Sequence, residues 1–260
     1  MTRSLKLSSC AVKLPLYFIS DVHLSLNGSA DEVGKRERLI EFVRHVAGTG
    51  GTLFIVGDLF DFWFEYKHVM PKAYFDILTV LNDAKLNGVN LHFIPGNHDF
   101  WGREFLEETL FNKVYPKGVT LDIEGKRFLI NHGDGLLSWD RGYRALRGLL
   151  RNRVFIFFYR WLHPDIAYAI AKKISRNGDY DHYTPEQKEQ IVEELTQYSE
   201  EQCKNGIDYV IMGHYHQHKD IRLENGQFLI LGDWIKYHSY GYFDGESLFL
   251  KSWENEKVEY

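Results

Sequence analysis

Short apolar runs that end in polar residues recur along the chain. The clearest is Leu53–Val56, in which four apolar residues lead into Gly57 and Asp58. Such a run predicts a strand buried on both faces, as in a parallel sheet, and the glycine after it allows a sharp turn. We therefore expect Asp58 at the carboxyl edge of a sheet, where open α/β folds bind their ligands.

Four other runs end in the same way, and each is followed by side chains with oxygen or imidazole donors. The segments begin at Leu16, Leu91, Arg127 and Tyr209. The donors that follow them are Asp21 and His23, then Asn97, His98 and Asp99, then His132 and Asp134, and finally His214 and His216. Donors at so many strand ends predict one shared site.

Helical patterns separate the first three runs. Residues 31–48 and 70–87 have apolar residues at helical spacing, with charged residues between them. Each interval has the length of a strand–helix–strand unit, about 30 residues or more. Right-handed crossovers in such units place the strand ends on one edge of the sheet. A hairpin is predicted within 120–131, turning at Glu124 and Gly125.

A long insertion interrupts the series after His132. The next donor, His214, follows 82 residues later, and the segment between them has helical patterns throughout. Its last helix is predicted to begin after Thr184, a residue type that caps helices. We expect an α/β core formed by residues 1–136 and 206–260, with a helical cap inserted at 137–205.

Two features of the insertion allow alternative interpretations. The apolar run at 154–162 is either a buried helix of a helical subdomain, or the wall of an apolar chamber or a face that touches a membrane. Four arginines share one helical face, and this face is either solvated or attracts phosphate or anionic lipid. They are Arg141, Arg144, Arg147 and Arg151.

Composition narrows the class of protein. The chain has 260 residues, of which 44% are hydrophobic and 26% charged, as in ordinary globular proteins. A net charge of −5 argues against a protein whose main work is binding nucleic acid. Cys10 and Cys203 do not predict a disulfide scaffold, which suits a reducing compartment. No run is apolar enough for a signal sequence or a transmembrane helix, so we expect a soluble protein, or one that at most contacts a membrane surface.

The donors together predict a pair of metal ions. The set is Asp21, His23, Asp58, Asn97, His132, His214 and His216. It contains no cysteine, which excludes zinc knuckles and iron–sulfur clusters. Mixed imidazole, carboxylate and amide donors suit Mn²⁺, Fe or Zn²⁺. These donors are too many for one ion, and a bridging Asp58 divides them between two. Two ions about 3.5–4 Å apart activate water and stabilise in-line displacement at phosphorus.

The motifs that carry these donors resemble those of the calcineurin-like metallophosphoesterases, in order and over nearly the whole chain. They are Asp21–His23, Gly57–Asp61, Gly96–Asp99, His132–Asp134 and Gly213–His216. The resemblance implies a layered α/β fold, a β-sandwich flanked by helices. It also implies two divalent ions, Mn²⁺ first among the candidates.

The same resemblance assigns roles to the donors. One ion would be held by Asp21, His23, Asp58 and His216, and the other by Asp58, Asn97, His132 and His214. His98 would stabilise the phosphoryl group or protonate the leaving oxygen, with Asp99 as the residue that orients it.

Within this superfamily the chain is most similar to the UDP-2,3-diacylglucosamine diphosphatases of lipid A synthesis. The similarity lies in Gly57–Trp63, Gly96–Phe100 and His132–Leu136, and in a cap that houses acyl chains in that family. It implies hydrolysis of the pyrophosphate of the acylated UDP-sugar to UMP and a diacylglucosamine 1-phosphate. A cytoplasmic location, with peripheral contact to the inner membrane, follows from the same resemblance.

Substrate contacts are also implied by this resemblance, at Asn97, His98, Asp140, Tyr143, Lys172, Ser175 and His182. Asp140 has a simpler alternative role as the N-cap of the arginine-bearing helix. Well-known members of the diphosphatase family have arginine where this chain has His98, a difference that bears on the substrate and not on the metal chemistry.

Two other functions remain open on the sequence alone. One is a dimetal phosphoesterase for another phosphodiester or phosphomonoester, which has no use for an apolar chamber. The other is a non-catalytic scaffold, which is expected to have lost metal ligands, whereas every predicted ligand is present here.

Overall fold

The computed structural model describes residues 12–26, 29–102, 105–175 and 183–256, which form two β-sheets and six α-helices. The strands are β1 (Leu16–Ile19), β2 (Thr52–Val56), β3 (Asn90–Ile94), β4 (Lys113–Val114), β5 (Val119–Ile123), β6 (Lys126–Ile130), β7 (Tyr209–Met212), β8 (His218–Leu223), β9 (Gly226–Leu231), β10 (Ser239–Phe243) and β11 (Leu248–Ser252). The helices are α1 (Ala30–Thr49), α2 (Phe75–Leu86), α3 (Arg141–Leu150), α4 (Arg153–Tyr159), α5 (Pro164–Ser175) and α6 (Pro185–Lys204). Single helical turns lie at Lys72–Tyr74, Phe105–Leu110 and Trp253–Glu256.

The two sheets have mixed topology with parallel strands at their centres. The first has the order β11-β10-β1-β2-β3-β4, and the second β5-β6-β7-β9-β8. Strands β1 to β4 run parallel to one another, as do β6, β7 and β9. The carboxyl ends of each parallel group therefore share one edge of their sheet, as the sequence predicts.

The sheets pack face to face over an apolar core, which gives the sandwich of the predicted fold class. Phe18 and Phe54 of the first sheet stack with ring centroids 5.2 Å apart, and Phe128 of the second sheet lies 6.3 Å from Phe18. The opposite face of β2 carries Leu53 and Ile55, which are fully buried under the helices. Strand β2 is thus buried on both faces, as predicted.

Helices cover the outer face of each sheet. Helices α1 and α2 pack on the first sheet through apolar residues such as Phe42 and Leu81. Helix α6 packs on the second, where Ile191 and Leu195 meet Val210. Although α6 belongs to the predicted 137–205 insertion, it contributes to the core. We propose that the cap itself consists of α3, α4 and α5.

The cap contains both an inward and an outward apolar face, so the prediction of a fully buried helix at 154–162 is wrong. Phe155 and Tyr159 are half-buried and line a cavity, whereas Phe158 and Trp161 are 65% and 78% exposed. A short helix cannot bury both faces without a second layer outside it. The alternative prediction, a chamber wall and an exposed apolar face, agrees with the structure.

The predicted hairpin is confirmed. Strands β5 and β6 are antiparallel and join at Glu124 and Gly125, both with positive φ. Two such residues form the two-residue turn that matches strand twist in hairpins. Helix α6 begins after Thr184, whose hydroxyl accepts a hydrogen bond from the Gln187 N–H, as the sequence predicts.

Candidate metal centre

Several donor residues that follow the strand ends have an unusual backbone conformation, with positive φ. Asp21 and Asp58, just beyond β1 and β2, have φ of 54° and 51°, and His23, His214 and His216 also lie in the left-handed region. Residues other than glycine rarely adopt this conformation, and it concentrates at functional sites. All five residues belong to the groups of donor side chains described below.

The first group of donors joins the ends of both sheets. Asp21, His23 and His216 each offer an atom within 4.8 Å of the other two. Asp21 Oδ1 lies 3.7 Å from His23 Nε2 and 3.6 Å from His216 Nε2. One carboxylate oxygen between two imidazole nitrogens is a geometry that a transition-metal ion can occupy.

The second group is centred on Asp58, with His132 and His214. Asp58 Oδ2 lies 3.2 Å from His132 Nε2, and Asn97 Oδ1 lies 3.3 Å from the same nitrogen. His132 Nδ1 donates to the Val56 carbonyl at 2.9 Å, which turns Nε2 towards the donors. The structure therefore brings Asn97 to this group, as predicted.

Asp58 connects the two groups. Its Oδ2 also lies 3.8 Å from His23 Nε2, a member of the first group. Its Oδ1 accepts a hydrogen bond from the His98 N–H at 2.9 Å, which fixes the carboxylate orientation. A carboxylate held between two clusters of donors has the position required of a bridging ligand.

Burial and charge give the donors unequal protonation. Burial disfavours ionised Asp58, but the surrounding histidines, first His132, outweigh it and hold the pKa of Asp58 well below its usual range. Burial acts against protonation of His132, yet Asp58 raises the pKa of His132 to about 10. Burial and repulsion from His132 lower the pKa of His214 to about 3. A metal ion binds neutral imidazole, so a cation beside Asp58 competes with the His132 proton.

The residues present fit a bound cation. Asp21 is fully buried, and within the described part of the chain no hydrogen-bond donor reaches its Oδ1. Its other oxygen accepts from Ser20 Oγ at 2.6 Å and from the His214 N–H at 2.8 Å. A buried carboxylate oxygen without a donor is costly unless a cation or another charge compensates it. This oxygen faces His23 and His216.

His98 lies beside the donors, but Asp99 does not have the predicted position against its ring. The His98 Nδ1–H donates to the Asp61 carbonyl at 2.8 Å, which leaves Nε2 available. Both oxygens of Asp99 instead accept backbone hydrogen bonds, from Gly96 and from Leu59. Asp99 thus fixes the loop after β3, and Asp61 orients His98. His23, Asp61 and His98 also form a third group of potential donors.

Asp233 is a supporting residue that the sequence reasoning missed. It follows β9 and Gly232, the same strand–glycine–carboxylate pattern as at Asp58. Its Oδ2 lies 3.4 Å from His216 Nδ1, and its Oδ1 accepts the Ile235 and Lys236 N–H groups at 2.9 and 2.6 Å. Asp233 therefore holds His216 with Nε2 directed at Asp21.

We expect Asp233→Asn to weaken metal binding about 10- to 100-fold, the usual effect of losing a carboxylate behind a histidine ligand. An amide has only one accepting oxygen, which cannot serve both the His216 Nδ1–H and the Ile235 and Lys236 N–H groups, and it lacks the negative charge that holds the ring. Metal titration of the protein measures the change, with Asp122→Asn on exposed β5 as the control. Equal metal affinity of the two variants would contradict this role of Asp233.

Among the predicted cap contacts, Asp140 and Tyr143 have different positions. Asp140 is the N-cap of α3, and its carboxylate accepts the Tyr143 N–H at 3.2 Å, in agreement with the simpler alternative. Tyr143 lies next to the donors, its ring 5.6 Å from that of His214. Its buried hydroxyl has no hydrogen-bond partner among the described residues. Lys172 and Ser175 lie in α5 with side chains outside the described part, and His182 lies outside the described residues.

Two of the four arginines point inwards. Arg147 Nε lies 2.6 Å and Arg151 Nη2 2.8 Å from Asp134 Oδ2, in the motif that carries His132. Arg151 also stacks over Phe100, its guanidinium 4.0 Å from the ring centroid. Arg144 donates to the Leu137 and Ser138 carbonyls. The solvated-face alternative is therefore wrong for Arg147 and Arg151, which connect the cap to the centre.

An apolar cavity of about 290 Å³ opens beside the donors. Asn97, His98 and Tyr143 form its polar end, and cap and core residues form the rest. The apolar walls are Phe62, Phe64, Phe100, Trp101, Leu146, Leu150, Phe155, Tyr159, Ile170 and Ala171. The cavity therefore lies between the cap and the core, with the metal donors at one end.

Known proteins are similar to this chain over most of its length. Residues 14–218 match the calcineurin-like phosphoesterase family. A UDP-2,3-diacylglucosamine hydrolase of Porphyromonas gingivalis is 32% identical to this chain. The alignment covers 92% of this chain and 98% of the relative. A protein of the same name from Nitrosococcus oceani is 29% identical, and the alignment covers 84% of this chain and 86% of that protein. For another from Haemophilus influenzae the identity is 27%, and the alignment covers 86% of this chain and 92% of that protein. The chain belongs to the calcineurin-like phosphoesterase family and is a metal-dependent hydrolase.

Proposed function

We propose that this protein hydrolyses the pyrophosphate of UDP-2,3-diacylglucosamine, releasing UMP and 2,3-diacylglucosamine 1-phosphate. The observation that carries the proposal is the apolar cavity, whose polar end is formed by Asn97, His98 and Tyr143. Apolar walls of this kind suit acyl chains, while a phosphate of the same molecule would reach the metal donors at the polar end. The curated relatives, named as hydrolases of this acylated UDP-sugar, support the same substrate.

Seven side chains would hold the metals, Mn²⁺ being our first candidate and Fe or Zn²⁺ the alternatives. We assign Asp21, His23, Asp58 and His216 to one ion, and Asp58, Asn97, His132 and His214 to the other. Two such ions supply an activated water and offset the negative charge that develops at phosphorus.

The remaining polar groups would act on the substrate. With His98 Nδ1–H held by the Asp61 carbonyl, a proton on Nε2 is free to pass to the departing phosphate oxygen. The Tyr143 hydroxyl would donate to a phosphate or sugar oxygen. Arg147 and Arg151 are held by Asp134 at the cavity wall, where their charge attracts the anionic pyrophosphate. In the overall reaction the water oxygen bonds to the α-phosphorus and the bond to the bridging oxygen breaks.

A substrate panel with Mn²⁺ tests the proposal. We expect rapid release of UMP from the diacylated UDP-sugar and much slower release from the same sugar without acyl chains. Bis-p-nitrophenyl phosphate serves as the probe for a general phosphodiesterase. If it were hydrolysed while the acylated UDP-sugar was not, the alternative of another phosphoester substrate would replace our proposal.

We also propose that the protein works on the cytoplasmic surface of the inner membrane, where an acylated substrate resides. No helix in the described part of the chain has the length and hydrophobicity needed to cross a membrane. Val154, Phe157, Phe158 and Trp161 form an exposed apolar face on the cap, with Arg153 and Arg160 close in sequence. Apolar side chains among cations are suited to an anionic lipid surface.

We expect the double substitution Phe157→Glu and Trp161→Glu to reduce binding to anionic vesicles on the order of 10-fold or more, because two exposed rings that would insert into the lipid are replaced by charges that anionic lipid repels. Vesicle sedimentation measures this change. Phe75→Glu is a matched control, since Phe75 is 70% exposed on α2, outside the cap. Similar binding by the double variant and the control would rule out this face as the membrane contact.

A further inference from the structure

A second cavity, of about 420 Å³, also reaches the metal donors, through His132. It lies between α6 and the β5–β6 edge of the second sheet, with residues after β3 and β4 completing the wall. Its volume is within the range of about 300–1,000 Å³ usual for small-molecule sites. The reaction described above uses His132, Asp134 and Arg147 at the rim of this cavity but places no part of the substrate inside it.

The two cavities meet at the metal donors. Asn97 lines the first cavity and His132 lines the second, and Asn97 Oδ1 lies only 3.3 Å from His132 Nε2. Arg147 lines both cavities, held at Asp134. A molecule with its reacting phosphate at this junction therefore has a separate space on each side.

The second cavity differs from the first in chemistry. Its lining includes the amides of Asn131 and Gln202 and the cations Lys117 and Arg127. The Asn131 Oδ1 is buried and accepts no hydrogen bond from the described residues. Apolar surface comes from Pro95, Pro116, Leu129 and Ile207. Amides beside flat apolar surface suit a polar ring and not an acyl chain.

We propose that this second cavity binds the uridine half of the substrate, with the uracil ring near Asn131. This inference rests on the proposed function and deepens it. An asparagine amide complements the imide edge of uracil, because Oδ1 accepts the ring N–H while Nδ2 donates to a ring carbonyl. Proline and leucine surfaces pack against the ring, and Lys117 adds positive charge for the phosphates. The two cavities then separate the halves of one amphipathic substrate.

Calorimetric titration of the Mn²⁺-loaded, full-length protein with UMP and with ribose 5-phosphate tests the inference. UMP is expected to bind at least about 10-fold more tightly, since only UMP carries the base. Asn131→Ala should lose about 10-fold in UMP affinity, the effect of the two hydrogen bonds to the ring. Asn87→Ala, an exposed asparagine after α2, is the matched control and should bind UMP as the unmodified protein does.

A second variant tests the same cavity in case Asn131→Ala does not fold. Gln202→Trp, at a half-buried position of α6, places a bulky ring in the cavity from the helix and leaves the segment with Asn131 and His132 unchanged in sequence. It should also lower UMP affinity at least about 10-fold. Equal binding of UMP and ribose 5-phosphate, or unchanged UMP affinity in the folded variants, would overturn the inference.

The outcomes also separate this inference from the proposed function. A protein that releases UMP from the acylated substrate, but does not distinguish UMP from ribose 5-phosphate, refutes only the uridine site. A protein that binds UMP through Asn131, but releases none from the acylated substrate, refutes only the proposed reaction.

Discussion

Asp58→Ala is expected to remove both metal ions and all measurable hydrolysis together. Its Oδ2 lies 3.2 Å from His132 Nε2 in one group and 3.8 Å from His23 Nε2 in the other, so alanine takes a ligand from each ion. Loss of this carboxylate also leaves the surrounding imidazoles without the charge that offsets a divalent cation. Metal content by mass spectrometry and UMP release in the same preparation measure the two effects.

The control for this variant is Asp122→Ala, an exposed carboxylate on β5, which should retain metals and turnover. Circular dichroism establishes that the Asp58→Ala protein is folded. If the folded variant still held two tightly bound ions, Asp58 would not be the bridging ligand.

His98→Ala is expected to slow turnover on the order of 10²–10⁴-fold, the usual range for an acid–base group, while both ions remain bound. The ring Nδ1 is already used in the hydrogen bond to the Asp61 carbonyl, and the two assigned ligand sets do not need it. Steady-state kinetics with the acylated UDP-sugar and metal analysis of the same protein measure the two parts of this prediction.

His68→Ala provides the comparison, because His68 is an exposed histidine in the loop before α2. It should have the metal content and the turnover of the unmodified protein. Loss of one ion from His98→Ala would instead assign His98 as a metal ligand, with His23 and Asp61 as its partners.

The donor set was predictable from the sequence because each donor follows a buried strand directly. The apolar run of β2 indicates a strand covered on both faces. Gly57 must follow it, since a Cβ there would overlap the His132 ring. Gly96 has a similar role, because its Cβ would overlap the Asp58 carboxylate. Short-range pattern therefore determines where each donor leaves its strand, and parallel topology brings the donors together.

Contacts between distant segments were harder to predict. Asp61 rather than Asp99 holds the His98 ring, because the backbone N–H groups of Gly96 and Leu59 already occupy Asp99. Such a choice depends on how two loops approach each other, which no local pattern specifies. The inward direction of Arg147 and Arg151 likewise depends on the position of Asp134 below the cap.

The cap was predictable as helical but not in its packing. The apolar run at 154–162 is compatible with a buried helix, a chamber wall or an exposed face, and the chain has two of these at once. Helix α6 was assigned to the cap by its place in the sequence, yet its apolar residues pack on the second sheet. The amphipathic pattern of a helix predicts which of its faces is buried. It does not predict which other element packs on that face, because this depends on the tertiary structure.

Anomalous diffraction from crystals grown with Mn²⁺ tests the paired-metal assignment most directly. The assignment predicts two peaks about 3.5–4 Å apart, with Asp58 between them, His23 and His216 on one side, and His132 and His214 on the other. A single peak, or two peaks that Asp58 does not join, would contradict it.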